Sequence, residues 1–216
     1  AIIIFRMQKK STLFITIMVL VILAGFFYSF FIHKNLLVDT IVSQLGQRKQ
    51  DVSTPQPFAR MTIPYLRERT YVSHLVTPKF LAEYGSYTSY LTSYQSDGLW
   101  VNALLTKPAG KQPLKGWPAI IFIHGYIPPT EYRTEERYVD YIDYLARNGF
   151  VVLKIDLRGY GDSEGVAGGG YFGTDYVVDA LNAYSALQAS SFIDKDRIGM
   201  WGHSMGGEVS LRTIEV

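Results

Sequence analysis

The stretch RIGMWGHSMGG, residues 197–207, decides the fold of this chain. It opens with a short run of strand character, and a helical pattern begins at Met205. Between them stands Ser204, with Gly202 and Gly206 two positions away on either side. A G-x-S-x-G string at a strand-to-helix turn is typical of a nucleophile elbow. The stretch therefore predicts that Ser204 is presented at the carboxyl end of a strand.

The two glycines have a steric role in such a turn. The turn strains the serine backbone, and side chains at Gly202 and Gly206 would clash with the neighbouring strand and helix. It lifts the Ser204 hydroxyl above the sheet, aims the His203 side chain away from it, and points the Met205 backbone N–H toward a developing oxyanion. We predict Ser204 as nucleophile and Met205 as oxyanion donor. A glycine-rich turn without chemistry is the alternative.

Apolar runs and helical patterns alternate upstream of this turn. Continuous apolar residues are typical of strands buried on both faces, and Asp97-Gly98 between two strand-like runs predicts a hairpin. The alternation predicts an α/β fold with a mostly parallel sheet flanked by helices. The predicted strands are residues 89–94, 99–106, 119–123, 150–155 and 197–201, and the predicted helices are residues 135–148, 175–189 and those from Met205 onward.

Two further loops follow predicted buried strands. The first is His124-Gly125-Tyr126, where the Tyr126 backbone N–H is a candidate second oxyanion donor and His124 is expected to hold the loop by hydrogen bonds. The second is DLRGYGDSEG, residues 156–165, where we expect Asp156 and Arg158 to pin the turn by an ion pair or backbone hydrogen bonds. Residues 165–173 are predicted to form a mobile loop beside the pocket.

These three loops, in this order and spacing, resemble those of the α/β-hydrolase superfamily. The form DKDRIGMWGHSMGG is most similar to the prolyl oligopeptidase and acylaminoacyl-peptidase branch, with dienelactone hydrolase-like esterases close behind. The resemblance covers residues 87–216. It implies a Ser–Asp–His triad in that chain order: histidine takes the Ser204 proton, Ser204 attacks an ester or amide carbonyl, and water hydrolyses the acyl-enzyme.

The chain departs from the family pattern after Ser204. Neither aspartate nor histidine follows Ser204 in these 216 residues. The glutamates that follow are Glu208, one helical turn along and directed elsewhere, and Glu215. We therefore expect a C-terminally truncated hydrolase domain that is inactive by itself. The histidines all precede the nucleophile: His33, His74, His124 and His203.

Two substrate classes stay open, small peptides and esters. The segment before residue 87 is too short for the propeller that screens substrates in large prolyl oligopeptidases, which favours an ungated hydrolase. A catalytically silent, membrane-tethered binding module of the same fold is the alternative outside enzymes. We expect no cofactor and no metal, because a serine mechanism needs neither and no phosphate-binding motif is present.

Composition bounds the remaining classes. Lys and Arg number 21 against 19 Asp and Glu, a formal charge of +2, so nothing indicates nucleic acid as a partner. Cysteine is absent, which excludes disulfides, thiolate metal sites and cysteine nucleophiles.

Residues 12–32 form an uncharged apolar run that would span roughly 30 Å as a helix, the thickness of a bilayer's hydrocarbon core. They predict a single-pass signal anchor in the lipid bilayer, following Lys9 and Lys10 in a short cytoplasmic N-terminus, residues 1–11. Residues 33–86 are expected to form a stalk and pre-domain segment. Residues 87–216, the N-terminal half of the hydrolase domain, are expected outside the cytoplasm.

Overall fold

The computed structural model describes residues 20–30, 34, 58–168, 170 and 173–216. The chain divides into two units, Ala1–Pro55 and Gln56–Val216. In the first unit, residues 20–30 are helical and their side chains are exposed. The rest of the predicted anchor lies outside the described residues, and so do Lys9 and Lys10, which precede the anchor. Over the described part of the chain, no helix has the length and apolar character needed to cross a membrane.

The second unit contains a six-stranded sheet and four α-helices among its described residues. A 3₁₀ turn, Ala59–Met61, precedes them. The strands are β1 (Lys79–Glu83), β2 (Tyr87–Ser96), β3 (Leu99–Pro108), β4 (Trp117–Ile123), β5 (Val151–Ile155) and β6 (Ile193–Gly202). The helices are α1 (Ile63–Glu68), α2 (Val139–Arg147), α3 (Asp175–Gln188) and α4 (Met205–Ile214).

The sheet is mixed, which corrects the expectation of a mostly parallel one. Its order is β1-β2-β3-β5-β4-β6, and only the pairings of β4 with β5 and with β6 are parallel. The hairpin at Asp97 and Gly98, both at positive φ, makes β2 and β3 antiparallel. The βαβ crossovers through α2 and α3 produce the parallel part. The two connection types together give a mixed sheet.

Regular structure begins before the predicted start near Tyr87. Strand β1 pairs antiparallel with β2, and Leu66 of α1 is buried in the main hydrophobic cluster. Helix α1 forms despite Pro64 because proline fits the first turn, where its missing N–H would have no intrahelical partner. The Thr62 hydroxyl caps this helix by accepting a hydrogen bond from the Tyr65 N–H.

The central strands are buried on both faces, as their continuous apolar runs predict. In β4, Ile121 belongs to the larger hydrophobic cluster, and the next residue, Phe122, to the smaller one. The larger cluster also includes Val177 of α3 and Val209 of α4, whereas the smaller includes Ile142 of α2. Helices α3 and α4 therefore cover one face of the sheet and α2 covers the other.

This arrangement brings three loops to one edge of the sheet. Strands β5, β4 and β6 are adjacent and parallel, so their carboxyl ends lie side by side. Strand β4 leads into His124, β5 into Asp156, and β6 ends two residues before Ser204. Open α/β sheets bind ligands at this edge.

Candidate active site

Ser204 adopts a strained backbone conformation. Its φ is 53° and its ψ is −119°, a region that L residues other than glycine rarely occupy. It lies between the end of β6 and the first residue of α4, and it is exposed. This is the strand-to-helix turn predicted for the nucleophile, with the serine facing solvent at the edge where the three loops meet.

The glycines around Ser204 permit backbone contacts that no side chain would allow. A Cβ on Gly202 would overlap the backbone carbonyl of Gly206. A Cβ on Gly206 would in turn overlap the carbonyl oxygen of Ile123, the last residue of β4. The turn is thus wedged between its own helix and the neighbouring strand, which holds the serine in its strained conformation.

Met205, the residue after the serine, and Tyr126, in the loop after β4, have backbone N–H groups without a described acceptor. Neither group donates a hydrogen bond to an acceptor among the described residues. At the first position of α4, Met205 has no intrahelical acceptor available. Both residues line one groove. Backbone N–H groups without a protein acceptor are what an oxyanion hole requires, so both residues remain candidates for that role.

The groove has a volume of about 540 Å³ and an aromatic lining. None of the described residues that line it carries a charge. Part of the lining comes from the loop predicted beside the pocket, where the Gly168 N–H donates to the Tyr176 hydroxyl at 2.8 Å. The described lining residues are Tyr126, Pro129, Tyr160, Ala167, Gly168, Gly170, Tyr176 and Met205.

His124 is buried and engaged with backbone. Its Nδ1 lies 2.7 Å from the carbonyl oxygen of Gly125, and its Nε2 lies 3.3 Å from that of Asp156. Burial lowers the pKa of His124 to about 4, so the ring is neutral at neutral pH. A neutral ring has one N–H and donates to one of these carbonyls at a time. His124 therefore lies between the loops after β4 and β5, and it makes no hydrogen bond to Ser204.

Asp156 and Arg158 do not form the ion pair that we expected between them. Each side chain has a different partner. The buried Asp156 carboxylate accepts hydrogen bonds from the hydroxyls of Tyr132 at 2.7 Å and Thr134 at 2.5 Å. Burial raises the pKa of Asp156 to about 6. Arg158 instead pairs with the buried Asp179 of α3 at 2.7 Å. The turn is therefore pinned to two separate elements, and the partners that pin it lie far away in sequence.

A phenol joins the elbow to the loop after β4. The Gly125 N–H donates to the Tyr138 hydroxyl at 2.9 Å, and that hydroxyl lies 3.1 Å from Nδ1 of His203. The His203 side chain therefore contacts Tyr138. This agrees with the expectation that it is directed away from Ser204. Sequence analysis did not single out Tyr138, because it lies inside a stretch whose periodicity predicts helix.

The described residues contain no histidine and carboxylate arranged as a base and its partner at Ser204. His124 and His203 make the contacts given above, and His74 is exposed on the loop before β1. Glu208 pairs with Arg212 at 3.0 Å. The Ser204 hydroxyl makes no hydrogen bond to a described side chain. The site thus combines an exposed serine with two candidate oxyanion donors, Met205 and Tyr126, and no base contacts the serine within the described residues.

Comparison with protein families gives one match, to the Hydrolase_4 family, described as serine aminopeptidase, S33. It extends over residues 118–215. The matched region runs from β4 to the end of α4. It therefore includes Ser204, both oxyanion candidates and all three loops.

The chain is similar to curated proteins named probable dipeptidyl-aminopeptidase B. It is 31% identical to that of Coccidioides posadasii over 113 residues, which are 50% of this chain and 12% of the relative. It is 26% identical to that of Penicillium rubens over 142 residues, or 63% of this chain and 16% of the relative. The matched region thus spans less than one fifth of the length of either relative.

Solved structures share the fold. An acetyl xylan esterase from Paenibacillus sp. R4 matches with a TM-score of 0.53 and 21% identity, over 68% of this chain and 50% of the esterase. Dipeptidyl peptidase 4 from Porphyromonas gingivalis matches with a TM-score of 0.50 and 27% identity, over 60% of this chain and 19% of the peptidase. The fold of the matched region therefore occurs in an esterase and in a peptidase.

Proposed function

We propose that this chain, an α/β-hydrolase of the branch that contains serine peptidases and esterases, supplies the nucleophile and the oxyanion hole of a serine peptidase. One observation carries the proposal. Ser204 is exposed in a strained turn, and a groove at the same edge of the sheet is lined by Met205 and Tyr126, whose backbone N–H groups donate to no described residue. A turn without chemistry gains nothing from this strain.

The reaction proposed is acyl transfer through Ser204. Its hydroxyl oxygen bonds to the substrate carbonyl carbon while a general base takes the hydroxyl proton. The carbonyl oxygen becomes an oxyanion that accepts hydrogen bonds from Met205 and Tyr126. The C–N or C–O bond then breaks, the base returns the proton to the leaving group, and water releases the acyl group by the reverse sequence.

We propose that the base and its acidic partner come from residues outside the described part of the chain. The described histidines nearest the site are occupied, His124 by two carbonyls and His203 by Tyr138. The relatives are much longer than the region that they share with this chain. A histidine and an aspartate from such additional sequence would complete the site.

A small peptide is the preferred substrate. The matching family is described as a serine aminopeptidase and the curated relatives are named dipeptidyl-aminopeptidases. The uncharged aromatic groove favours an apolar side chain on the residue whose carbonyl is attacked, because a charged side chain there would lose its hydration without gaining a partner. An ester substrate, as in a dienelactone hydrolase-like enzyme, is the second candidate, since the fold also occurs in an acetyl xylan esterase.

We further propose that residues 12–32 anchor the protein in a bilayer with the hydrolase unit outside the cytoplasm. The support is the uncharged apolar sequence and the exposed apolar side chains of the described helical part, among them Leu20 and Phe26. Reporter fusions placed after Lys34 test the orientation. Activity of only a cytoplasmic reporter would contradict it.

Steady-state hydrolysis by the intact protein tests the substrate class. We expect turnover of a dipeptidyl p-nitroanilide with an uncharged residue at the scissile bond, and a loss of roughly 10⁴-fold or more in kcat for Ser204→Ala. Turnover of p-nitrophenyl esters without turnover of any anilide would favour the esterase. Absence of both, in a folded protein, would favour a silent binding module.

A further inference from the structure

The side chain of Tyr138 contacts both the loop after β4 and the nucleophile elbow. We propose that Tyr138 is a positioning residue, whose hydroxyl fixes the loop that carries the Tyr126 N–H against the elbow that carries Ser204. The inference rests on the proposed function, because it assigns the two loops to one oxyanion hole. It adds a residue to the site that neither the G-x-S-x-G motif nor the HGY loop contains.

Hydrogen-bond chemistry fixes the direction of the bridge. The Gly125 N–H can only donate, so the Tyr138 hydroxyl oxygen accepts at 2.9 Å. The single hydroxyl proton is then free to be donated to Nδ1 of His203, 3.1 Å away, in the tautomer that leaves this nitrogen unprotonated. Gly125 immediately precedes Tyr126, and His203 immediately precedes Ser204. One phenol is thus bonded to the neighbour of each proposed catalytic group.

The loops are in close contact at this point. A Cβ on Gly125 would lie 2.8 Å from the Tyr138 hydroxyl and 2.9 Å from Nδ1 of His203, closer than a side chain tolerates. The His203 N–H also donates to the carbonyl oxygen of Ile123 at 3.3 Å. Gly125 is buried. A buried N–H without its acceptor is unfavourable, so loss of the phenol would move this loop.

The backbone and ring of Tyr138 are both constrained. Its φ of 63° and ψ of 23° are left-handed, a rare conformation for a bulky residue, and α2 begins only after it. The ring is half-buried between Phe122, with centroids 5.5 Å apart, and Trp201, 6.1 Å apart. A ring held in this way gives its hydroxyl a defined position. Residues in such conformations are found preferentially where function requires the geometry.

Tyr138→Phe isolates the hydroxyl, because the ring and its packing remain. In the intact protein we expect kcat per active site to fall at least about tenfold, since the Tyr126 N–H moves away from the oxyanion. KM should stay within about twofold, because the groove is unchanged. Active sites are counted by fluorophosphonate titration, so that loss of folded protein does not enter kcat.

Tyr141→Phe is the matched control. Tyr141 belongs to the same aromatic group, 5.1 Å from Trp201 and 6.3 Å from Tyr138 between ring centroids, but its side chain is 56% exposed. Removing its hydroxyl should leave kcat and KM unchanged. Equal losses in both phenylalanine variants would show that the group acts only through packing, and would overturn the inference.

A double-mutant cycle tests the bridge itself. If Tyr138 acts through His203, the fold loss of kcat in the Tyr138→Phe/His203→Ala double variant should be clearly smaller than the product of the fold losses in the two single variants. Binding of a peptidyl boronic acid, whose tetrahedral adduct places an oxygen in the oxyanion hole, should weaken in proportion to kcat/KM.

Two outcomes separate this inference from the proposed function. An active wild type whose Tyr138→Phe variant keeps kcat within twofold overturns the inference and leaves the proposed function standing. A folded wild type that neither reacts with fluorophosphonate nor turns over substrate overturns the proposed function and the inference together.

Discussion

Ser204 occupies its backbone conformation because the residues two positions away on either side, Gly202 and Gly206, have no side chains. The Gly206 position is the tightest, since a Cβ there meets the Ile123 carbonyl of a buried strand that cannot move aside. The Gly202 position is limited by the backbone of α4 in the same way. The position of Ser204 thus depends on the absence of side chains at Gly202 and Gly206 as well as on the contacts of the turn.

Gly206→Ala should abolish fluorophosphonate reaction and lower the free energy of unfolding by on the order of 3 kcal/mol, because strand β4 and helix α4 must separate. Gly207→Ala is the matched control, since its Cβ would lie 3.4 Å from the Gly202 carbonyl, an ordinary contact. Because alanine is favoured over glycine in a helix by up to about 1 kcal/mol, Gly207→Ala should not lower the free energy of unfolding. Equal reactivity of the two variants would contradict the steric account.

His124 should make the protein less stable in acid. Burial lowers its pKa in the folded protein to about 4, below the value of about 6.5 in the unfolded chain. Between these values the unfolded chain binds more protons, so stability falls as the pH is lowered. From pH 6.5 to 4.5 the loss due to His124 is about 2 kcal/mol.

The measurement is chemical denaturation of wild type and His124→Asn at both pH values, and the difference between the two proteins isolates the histidine. This comparison is needed because buried Asp156, with its pKa raised to about 6, has the opposite dependence over the same range. Parallel pH profiles in the two proteins would contradict the assignment.

At the scale of elements, one buried ion pair connects the turn after β5 to helix α3. The Asp179 carboxylate is fully buried and accepts from the Arg158 backbone N–H at 3.0 Å, from its guanidinium at 2.7 Å and from the Ser96 hydroxyl at 2.6 Å. The pair orients the turn whose downstream residues, Ala167 and Gly168, line the groove.

Asp179→Ala should lower the free energy of unfolding by about 3 kcal/mol, because Arg158 then loses its buried partner and, among the described carboxylates, keeps only the exposed Asp175, at 3.4 Å. Asp196→Ala removes the exposed partner of Lys115, at 4.0 Å, and should leave stability unchanged within error. Urea denaturation of both variants checks the contrast. Similar effects for the two would show that the buried pair does not hold the turn.

The sequence predicts those elements whose signal is local. The Asp97-Gly98 hairpin, the continuous apolar strands β4 and β5, and helix α3 are found where their residues indicate. Helix α2 begins at Val139 because Tyr138 is left-handed, a conformation imposed by tertiary contacts. Likewise, no sequence spacing predicts the pairing of Arg158 with Asp179 or of Tyr138 with His203. These pairs form only when the folded chain brings distant residues together.

At the scale of the molecule, the described residues contain the proposed nucleophile and oxyanion donors, and no described residue contacts Ser204 as a base. We therefore expect the isolated 216-residue chain to hydrolyse p-nitrophenyl acetate no faster than its Ser204→Ala variant. Both proteins are compared at equal folded concentration, verified by circular dichroism. Turnover by the wild-type chain that disappears in Ser204→Ala would show that a base for Ser204 lies within these residues.

The central claim, that Ser204 is an activated nucleophile in the intact protein, is tested most directly by covalent labelling. The protein is treated with a fluorophosphonate, digested, and analysed by mass spectrometry for the modified residue. We predict one phosphonyl group per chain, located on Ser204, with no labelling after heat denaturation or in Ser204→Ala. Labelling of another serine, or none in the folded intact protein, would contradict the account.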